Sequence, residues 1–363
     1  MEILGLTTIQ AMLFFVFYGV TGVVPLIAAF YLLLRRANAI APGVTSPVRL
    51  RRWTAAFFGV STLAHVWWLL FFIFDRDQNS LGNLVLAMAD CVLLFVTFAG
   101  MLLSMLQDRR RPVWPALVAV IPFVAIAGVY MVYPNHQLEM FAAAYLLLVG
   151  MVFTGYMLYA IRQYGSWLNN NYADLENKKV WLCQAVALLC MLLFVLYVLA
   201  DNLVILWLVH IIELVLVGLL MWRVETLPML ELPVQPKAQQ PTVVPVTIDL
   251  AQIEKSLAEC CVATQIYLQH DLSIEELAQV IGTNRSYLSQ YFSRQGINYN
   301  IYINNLRINY FISRYQKVVA SGQTFKVQQL AIESGYRSYS TFSRAFTQRM
   351  GQSVTAWMHD SAE

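Results

Sequence analysis

Two groups of side chains in this sequence have the types and spacing needed for chemistry or recognition. The first lies in apolar surroundings, where His210 and Glu213 are three residues apart and His65 and Asp90 stand in other apolar runs. Residues three apart share a helix face, and ionisable side chains inside apolar segments are costly enough to indicate function. These four residues are a candidate ligand or proton site, although interhelical hydrogen bonds that stabilise a bundle are the simpler explanation.

Catalytic and cofactor chemistry has little support elsewhere. A metal site is not expected, because spacing fixes no third ligand beside His210 and Glu213. The five cysteines show neither a regular framework nor zinc-ligand spacing. The chain has no Gly-rich phosphate loop and no nucleophile motif. We therefore predict no catalytic residues, no enzyme activity and no cofactor.

The second group belongs to an internal repeat near the carboxyl terminus. The stretches IEELAQVIG (274–282) and VQQLAIESG (327–335) share Leu-Ala and a Gly four residues after the Ala, and LSQYF (288–292) matches FSRAF (342–346). A small Ala lets two helices approach closely, and Gly supplies a turn residue able to take positive φ. The repeat therefore predicts two helix-turn-helix units, joined by a helix around 302–315.

Each unit predicts a second helix with a buried apolar face and an exposed polar face. Asn284 and Ser340 are the predicted N-caps, and the inward residues are Leu288, Tyr291, Phe292, Phe342 and Phe346. The outward residues suit base edges and phosphates. They are Arg285, Ser286, Ser289 and Gln290 in the first unit and Arg337, Ser338, Thr341 and Arg344 in the second. Double-stranded DNA is the predicted partner, and a generic helical hairpin is the competing interpretation that the tandem arrangement disfavours.

The chain before residue 224 has a different character. Overall, 59% of the 363 residues are hydrophobic and 12% are charged, about half the charged share of a soluble protein. Seven apolar runs are long enough to cross a bilayer core of about 30 Å, and they lie at 11–34, 53–74, 81–106, 113–133, 138–161, 180–200 and 203–222. The sequence predicts an all-α protein with a bundle of seven transmembrane helices, for which the lipid bilayer is a second partner.

The basic residues between these runs predict an orientation. Twelve lie on one side, namely Arg35, Arg36, Arg49, Arg51, Arg52, Arg109, Arg110, Arg111, Arg162, Lys178, Lys179 and Arg223, against Arg76 alone on the other. Because basic residues favour the cytoplasmic side, the amino terminus is predicted outside and the carboxyl terminus in the cytoplasm. Five prolines between 226 and 246 predict a linker at 225–246, which separates a membrane domain at 1–224 from a cytoplasmic domain at 247–363.

Residues 250–360 resemble the DNA-binding domain of AraC-family bacterial transcription regulators. The stretch LAIESGYRSYSTFSRAF is similar to the signature of the family's second unit, and GQSV (351–354) falls where Gly, a polar residue, Ser and Pro are usual. Val354 replaces that Pro, and Trp357 stands near the usual terminal aromatic residue. The resemblance implies two helix-turn-helix units that read neighbouring major-groove segments, and it says nothing direct about the membrane part. Together with the apolar runs and the bias of basic residues, a bacterial family predicts a location in the bacterial inner (cytoplasmic) membrane.

Two functions are compatible with these patterns. The favoured one is a membrane-tethered transcription regulator whose membrane domain senses a small apolar or membrane-borne ligand; a homodimer is left open. The other is a transporter or membrane enzyme with the helix-turn-helix domain as an accessory module. The spans show no inverted repeat or matched pair of broken helices that would favour a transporter.

Overall fold

The computed structural model describes residues 8–74, 81–133, 135–175, 178–189, 203–230, 250–322 and 324–361. In these ranges the chain is helical and contains no strand, apart from one isolated bridge between Tyr172 and Ser273. It divides into two compact units, of which the first comprises 1–164 and 180–232 and the second 165–179 and 233–363. The predicted all-α class is confirmed.

Long apolar helices make up the first unit. They are α1 (Thr8–Leu34), α2 (Val48–Phe74), α3 (Leu81–Met105), α4 (Trp114–Val132), α5 (His136–Asn171) and α6 (Leu203–Thr226). Each contains an apolar stretch long enough to cross a membrane, which confirms the helices expected at six of the seven predicted runs. At the remaining run, 180–200, residues 181–189 are helical, and residues 190–200 lie outside the described residues.

These helices expose much of their apolar surface. Only 11% of the apolar stretch of α5 is buried. On α1, Ile27, Phe30 and Leu33 are each more than half exposed. Soluble proteins rarely expose contiguous apolar patches this large. The exposed apolar surface of these helices therefore suggests a membrane-spanning region.

Close helix packing in the first unit depends on glycine. A Cβ added at Gly22 of α1 would lie 3.1 Å from the His65 Cβ on α2, and one added at Gly100 of α3 would collide with the Trp53 ring. The Thr62 hydroxyl donates to the Gly22 carbonyl at 3.0 Å. Small residues at these crossings let the backbones approach, and the first crossing places His65 directly against α1.

Three of the basic residues used to predict orientation are buried in this unit, namely Arg51, Arg111 and Arg223. Arg51 is 8% exposed and donates to the Asn38 amide oxygen at 2.7 Å, whereas Arg111 is 2% exposed and forms a bidentate pair with Asp108. Because a buried guanidinium is costly unless it is paired, these two residues stabilise the unit as well as contributing charge. The orientation itself stays a prediction.

Short helices make up the second unit. After α7 (Leu250–Leu257) come a π turn (Ala258–Val262), a 3-10 turn (Ile266–Leu268), α8 (Ile274–Val280), α9 (Arg285–Arg294), α10 (Tyr299–Ala320), α11 (Val327–Glu333), α12 (Tyr339–Met350) and α13 (Val354–Asp360). Residues 231–249, which include most of the predicted linker at 225–246, lie outside the described residues. The domain boundaries stay a prediction.

Helix α10 is the predicted connecting helix, and it contributes to both cores of the second unit. Tyr299 and Ile303 from its first half pack with α8 and α9, whereas Ile308, Phe311 and Tyr315 from its second half pack with α11, α12 and α13. A continuous helix shared between two cores holds the two helix-turn-helix units in one fixed arrangement. The position of each unit relative to the other is therefore fixed by its packing against α10.

Arg307 ties the two halves of the second unit together. Its side chain is 1% exposed and donates to the carbonyls of Tyr267 at 2.7 Å and Gln269 at 2.5 Å, and its guanidinium lies 5.5 Å from the Tyr336 ring centroid. Burial lowers the pKa of the Arg307 guanidinium. Gly335 takes φ +91, and a Cβ there would lie 2.9 Å from the Arg307 Nε and the Leu268 backbone, so the second turn requires a glycine.

Candidate nucleic-acid interface

The first helix-turn-helix unit comprises α8, a turn at Gly282 and α9. Ser273 and Glu276 form a capping box that begins α8, and Gly282 turns the chain with φ +71. Asn284 accepts from the Tyr287 N–H at 2.9 Å, which confirms it as the N-cap of α9. The predicted inward residues Leu288, Tyr291 and Phe292 are buried, and Ala278 is 1% exposed at the predicted helix crossing.

The second unit comprises α11, a turn at Gly335 and α12, and one predicted detail is wrong. Ser338, not Ser340, is the N-cap of α12, because Ser338 keeps an extended backbone while its hydroxyl accepts from the Thr341 N–H at 3.3 Å. Ser340 is therefore a residue of the first helical turn. Phe342 and Phe346 are fully buried as predicted.

The second helices of the two units, α9 and α12, present matching exposed faces. Helices α9 and α12 begin 54 residues apart, at 285 and 339. Both helices expose residues at the same positions counted from the helix start, with a spacing that places them on one face. They are Ser286, Gln290 and Ser293 on α9 and Ser340, Arg344 and Thr347 on α12. Gln290 is thus the structural counterpart of Arg344. Sequence reasoning missed Ser293, Ser340 and Thr347 as members of this face, although continuing the i, i+4, i+7 pattern would have found them.

The other predicted residues are half-buried or, in the case of Arg337, exposed and already paired. Ser289 and Thr341 are half-buried, and the Thr341 hydroxyl lies 3.1 Å from the Ser338 hydroxyl at the helix start. Arg285 is half-buried and its Nε donates to the Asn171 side-chain oxygen at 2.7 Å. Arg337 is exposed and pairs with Asp271, and its Nε lies 3.6 Å from the Asp174 carboxylate.

Asn171 and Asp174 belong to residues 165–179, which form part of the second unit. The Ala173 N–H donates to the Leu272 carbonyl at 3.2 Å, and the Asn300 amide donates to the Ala173 carbonyl at 2.7 Å. Burial, and after it the positive charge of Arg344, lowers the pKa of Lys179. This segment therefore lies beside Arg285, Arg337 and Arg344, the three arginines predicted to contact DNA.

Comparison with known proteins agrees with this geometry. A family model described as a helix-turn-helix domain matches residues 277–360. Residues 277–360 form an AraC-type helix-turn-helix domain. Searches of curated proteins and of solved structures gave no significant match. The AraC-type domain supports a DNA-binding regulator, and no catalytic family is shown.

The last turn of the AraC-type domain accommodates its unusual residues. Ser353 begins α13 by accepting from the Ala356 N–H at 3.2 Å, and Val354, which replaces the usual Pro, is 1% exposed in the second core. The Trp357 ring packs 5.5 Å from that of Phe346 and 5.2 Å from that of Tyr315. Both residues therefore contribute to the second core, and α13 begins normally at Ser353.

The predicted ionisable site lies in the first unit, and three of its four residues come together. The His65 Nε2 is 3.5 Å and the His210 Nδ1 is 3.7 Å from the same Glu213 carboxylate oxygen. Asp90 lies outside this group, and its carboxylate accepts from the Trp68 indole N–H at 2.5 Å. The pairing of His210 with Glu213 followed from their spacing, whereas the approach of His65 required the packing of α2 against α6.

Proposed function

We propose that this protein is a sequence-specific transcription regulator held at a membrane by its apolar helices. The observation that carries the proposal is that α9 and α12 expose polar residues at equivalent positions. Both helices belong to one unit, in which α10 contributes to both cores. A generic helical hairpin has no need for two matched polar faces in a fixed arrangement. Such faces suit the reading of two successive major-groove segments, about 10 base pairs apart.

The residue types on the two faces define the contacts that we propose. Arg344 is exposed in the second turn of α12, where its guanidinium is suited to the two acceptors of guanine, and Gln290 at the equivalent position of α9 is suited to adenine. The hydroxyls of Ser286 and Ser340 at the helix starts are suited to phosphate oxygens. The two units would therefore prefer different bases.

The first unit supplies the membrane anchor in this proposal. Six helices of spanning length with exposed apolar surfaces support insertion, and the bias of basic residues supports a cytoplasmic carboxyl terminus. We further propose that the first unit senses a signal, because it contains a partly buried group of ionisable residues that membrane insertion alone does not require. The inner membrane of a bacterium is the location that this arrangement supports.

Residues 165–179 supply a route by which the signal could reach DNA binding. Asn171 holds Arg285, and Asp174 lies 3.6 Å from Arg337. DNA phosphates would compete with these oxygen acceptors for the same guanidinium groups. We therefore propose that the segment opposes DNA binding while it stays in place, and that a signal which withdraws it strengthens binding.

The proposal is tested by DNA selection with the intact protein. The full-length chain, purified in detergent, is used to select a preferred sequence from random DNA, and the sites that it occupies on genomic DNA are mapped. We expect one sequence with two half-sites about one helical turn apart. Recovery of DNA without a shared sequence would contradict sequence-specific regulation.

The role of residues 165–179 needs a separate measurement with matched variants. Loss of the Asn171 contact in Asn171→Ala should tighten binding of the selected DNA about two- to tenfold, since one such hydrogen bond contributes about 0.5–1.5 kcal/mol. Asp174→Asn should act in the same direction. Asp360→Asn, which removes an exposed carboxylate from α13, is the charge-matched control. Unchanged affinity in both segment variants would contradict the competition.

A further inference from the structure

Three ligand-type side chains converge in the first unit from two helices that are distant in sequence. His65 comes from α2, and His210 and Glu213 come from α6. One ligand atom from each lies within 4.8 Å of the other two, and the two measured distances to the Glu213 oxygen are 3.5 and 3.7 Å. Ligands around a tetrahedral zinc ion, bonded at about 2.0–2.2 Å, are about 3.3–3.6 Å apart. The two distances to the Glu213 oxygen are close to this spacing, and the three ligand atoms lie close enough together to be candidates for binding one metal ion.

The hydrogen bonds of His65 orient the ring as metal-binding histidines are oriented. Its Nδ1 lies 2.8 Å from the Ser61 carbonyl, and since a carbonyl can only accept, this nitrogen carries the proton. The Nε2 then faces Glu213 with its lone pair available. Metal-binding histidines usually donate their other ring N–H to a carbonyl or carboxylate in this manner. The Ser61 hydroxyl in turn donates to the second oxygen of Glu213.

Thr21 of α1 completes the set of electron-pair donors. Its hydroxyl lies 2.8 Å from the Tyr18 carbonyl, to which it can donate, and 3.1 Å from the His65 Nε2. The Nε2 therefore faces a hydroxyl oxygen and a carboxylate oxygen. When the Thr21 hydrogen is directed at the Tyr18 carbonyl, both oxygens offer the Nε2 only lone pairs, and a cation between them, either a proton or a metal ion, would satisfy the nitrogen.

His210 distinguishes a metal ion from a proton. It is 7% exposed, and neither of its ring nitrogens has a hydrogen-bond partner among the described residues. The rings of Phe14, Phe17 and Tyr18 surround it with centroids 5.3–6.3 Å away. A proton shared between His65 and Glu213 would leave both nitrogens of His210 unsatisfied, at a cost of about 1–3 kcal/mol for each. A metal ion bound by all three residues would satisfy one of these nitrogens.

We propose that His65, His210 and Glu213 bind one divalent first-row transition metal ion, of the zinc class. Two imidazoles and one carboxylate are a ligand set that suits zinc and its neighbours, and Thr21 or a water molecule would supply the fourth ligand. Sequence spacing fixed only two of these ligands, which is why no metal was expected. The binding site rests on this geometry alone, whereas a role for the metal as the sensed signal rests on the proposed function.

The test is metal binding by the full-length protein in detergent. After removal of metal with a chelator, the protein is titrated with Co²⁺, which gives strong visible absorption only in tetrahedral or five-coordinate sites, and bound Zn²⁺ is then measured by elemental analysis. We expect one ion per chain and a visible Co²⁺ band that Zn²⁺ abolishes. His210→Gln and Glu213→Gln should lose both. Ser61→Ala should weaken binding about 10–100-fold, as loss of a residue that orients a ligand does elsewhere.

Two control variants remove ligand-type side chains outside the cluster. His270→Gln alters a histidine of the second unit, and Asp90→Asn alters the buried carboxylate that accepts from Trp68; both should bind metal as the wild type does. Wild-type protein that binds no Co²⁺ above the level of Glu213→Gln, or that shows only the spectrum of hydrated Co²⁺, would overturn the proposal. The wild-type spectrum decides this even where a variant fails to fold.

The role of the metal as signal is measured separately, by DNA affinity with and without Zn²⁺. A Zn²⁺-dependent change in the wild type that Glu213→Gln lacks would support it. Unchanged affinity would overturn the signal role and leave the binding site standing. Failure to bind DNA in either state would instead contradict the proposed regulator, so the two failures are distinguishable.

Discussion

Replacing Arg307 by Met tests how the two halves of the AraC-type domain are held together. Met keeps much of the length of the side chain but loses the two short hydrogen bonds to the Tyr267 and Gln269 carbonyls, at 2.7 and 2.5 Å. A hydrogen bond to a charged group contributes about 1.5–3 kcal/mol, and removing one partner of a buried charged interaction typically costs about 3–5 kcal/mol. We expect a loss of about 3–5 kcal/mol, a large share of the roughly 5–15 kcal/mol that stabilises a domain.

Hydrogen–deuterium exchange of the full-length protein in detergent measures this loss locally. The amides of 266–270 and of α11 and α12 should lose protection by the equivalent free energy, while α1 to α4 should be unchanged. Arg314→Met is the matched control, because Arg314 lies on the same helix, its side chain is 43% exposed and it pairs with the exposed carboxylate of Glu333 3.6 Å away; the substitution should cost less than about 1 kcal/mol. Equal protection in Arg307→Met and Arg314→Met would refute the reasoning.

Three further predictions concern the turns, the orientation and the isolated domain. Gly335→Ala should destabilise the second unit more than Gly282→Ala in thermal melts, because both have positive φ but only Gly335 would bring a Cβ within 4 Å of other atoms; the opposite order would contradict the proposed close approach. A reporter fused after Arg223 should be cytoplasmic and one at Asn135 external, and either result reversed would contradict the orientation. A fragment beginning at Thr247 should be soluble and helical. It should bind the selected DNA at least as tightly as the full chain, and its affinity should fall as the salt concentration rises. An insoluble fragment would contradict an independent domain.

Much of the structure of the AraC-type domain could be predicted from its sequence, because the residues that favour each turn and helix locally are also the residues that pack in its cores. The small Ala278 and Ala331, the turn glycines and the apolar spacing of the recognition helices each predicted a feature that the structure contains. The N-cap of α12 was misassigned because Ser338 and Ser340 are both good caps. Only the position at which the backbone becomes helical decides between them.

Other features of the sites depend on contacts between distant residues. In the sequence, Arg307 looks like an ordinary charged residue of a long helix. Nothing in the neighbouring sequence indicates that its side chain would be only 1% exposed and would donate to two backbone carbonyls. The approach of Asn171 to Arg285 joins residues 114 positions apart. Likewise, His65 reaches Glu213 only through the packing of α2 against α6. A single sequence carries no signal for pairs of this kind.

The most direct test of the DNA-reading claim is the affinity of arginine variants for the selected DNA and for single-base changes within it. Arg344→Ala should lose about 1–3 kcal/mol and relax preference at one base pair if Arg344 contacts a base, or lose affinity evenly with a smaller salt slope if it contacts phosphate. Arg285→Ala should affect the other half-site, and Arg314→Ala is the control with no expected effect. Equal binding by the wild type, Arg344→Ala and Arg285→Ala, with all of them folded, would contradict the account.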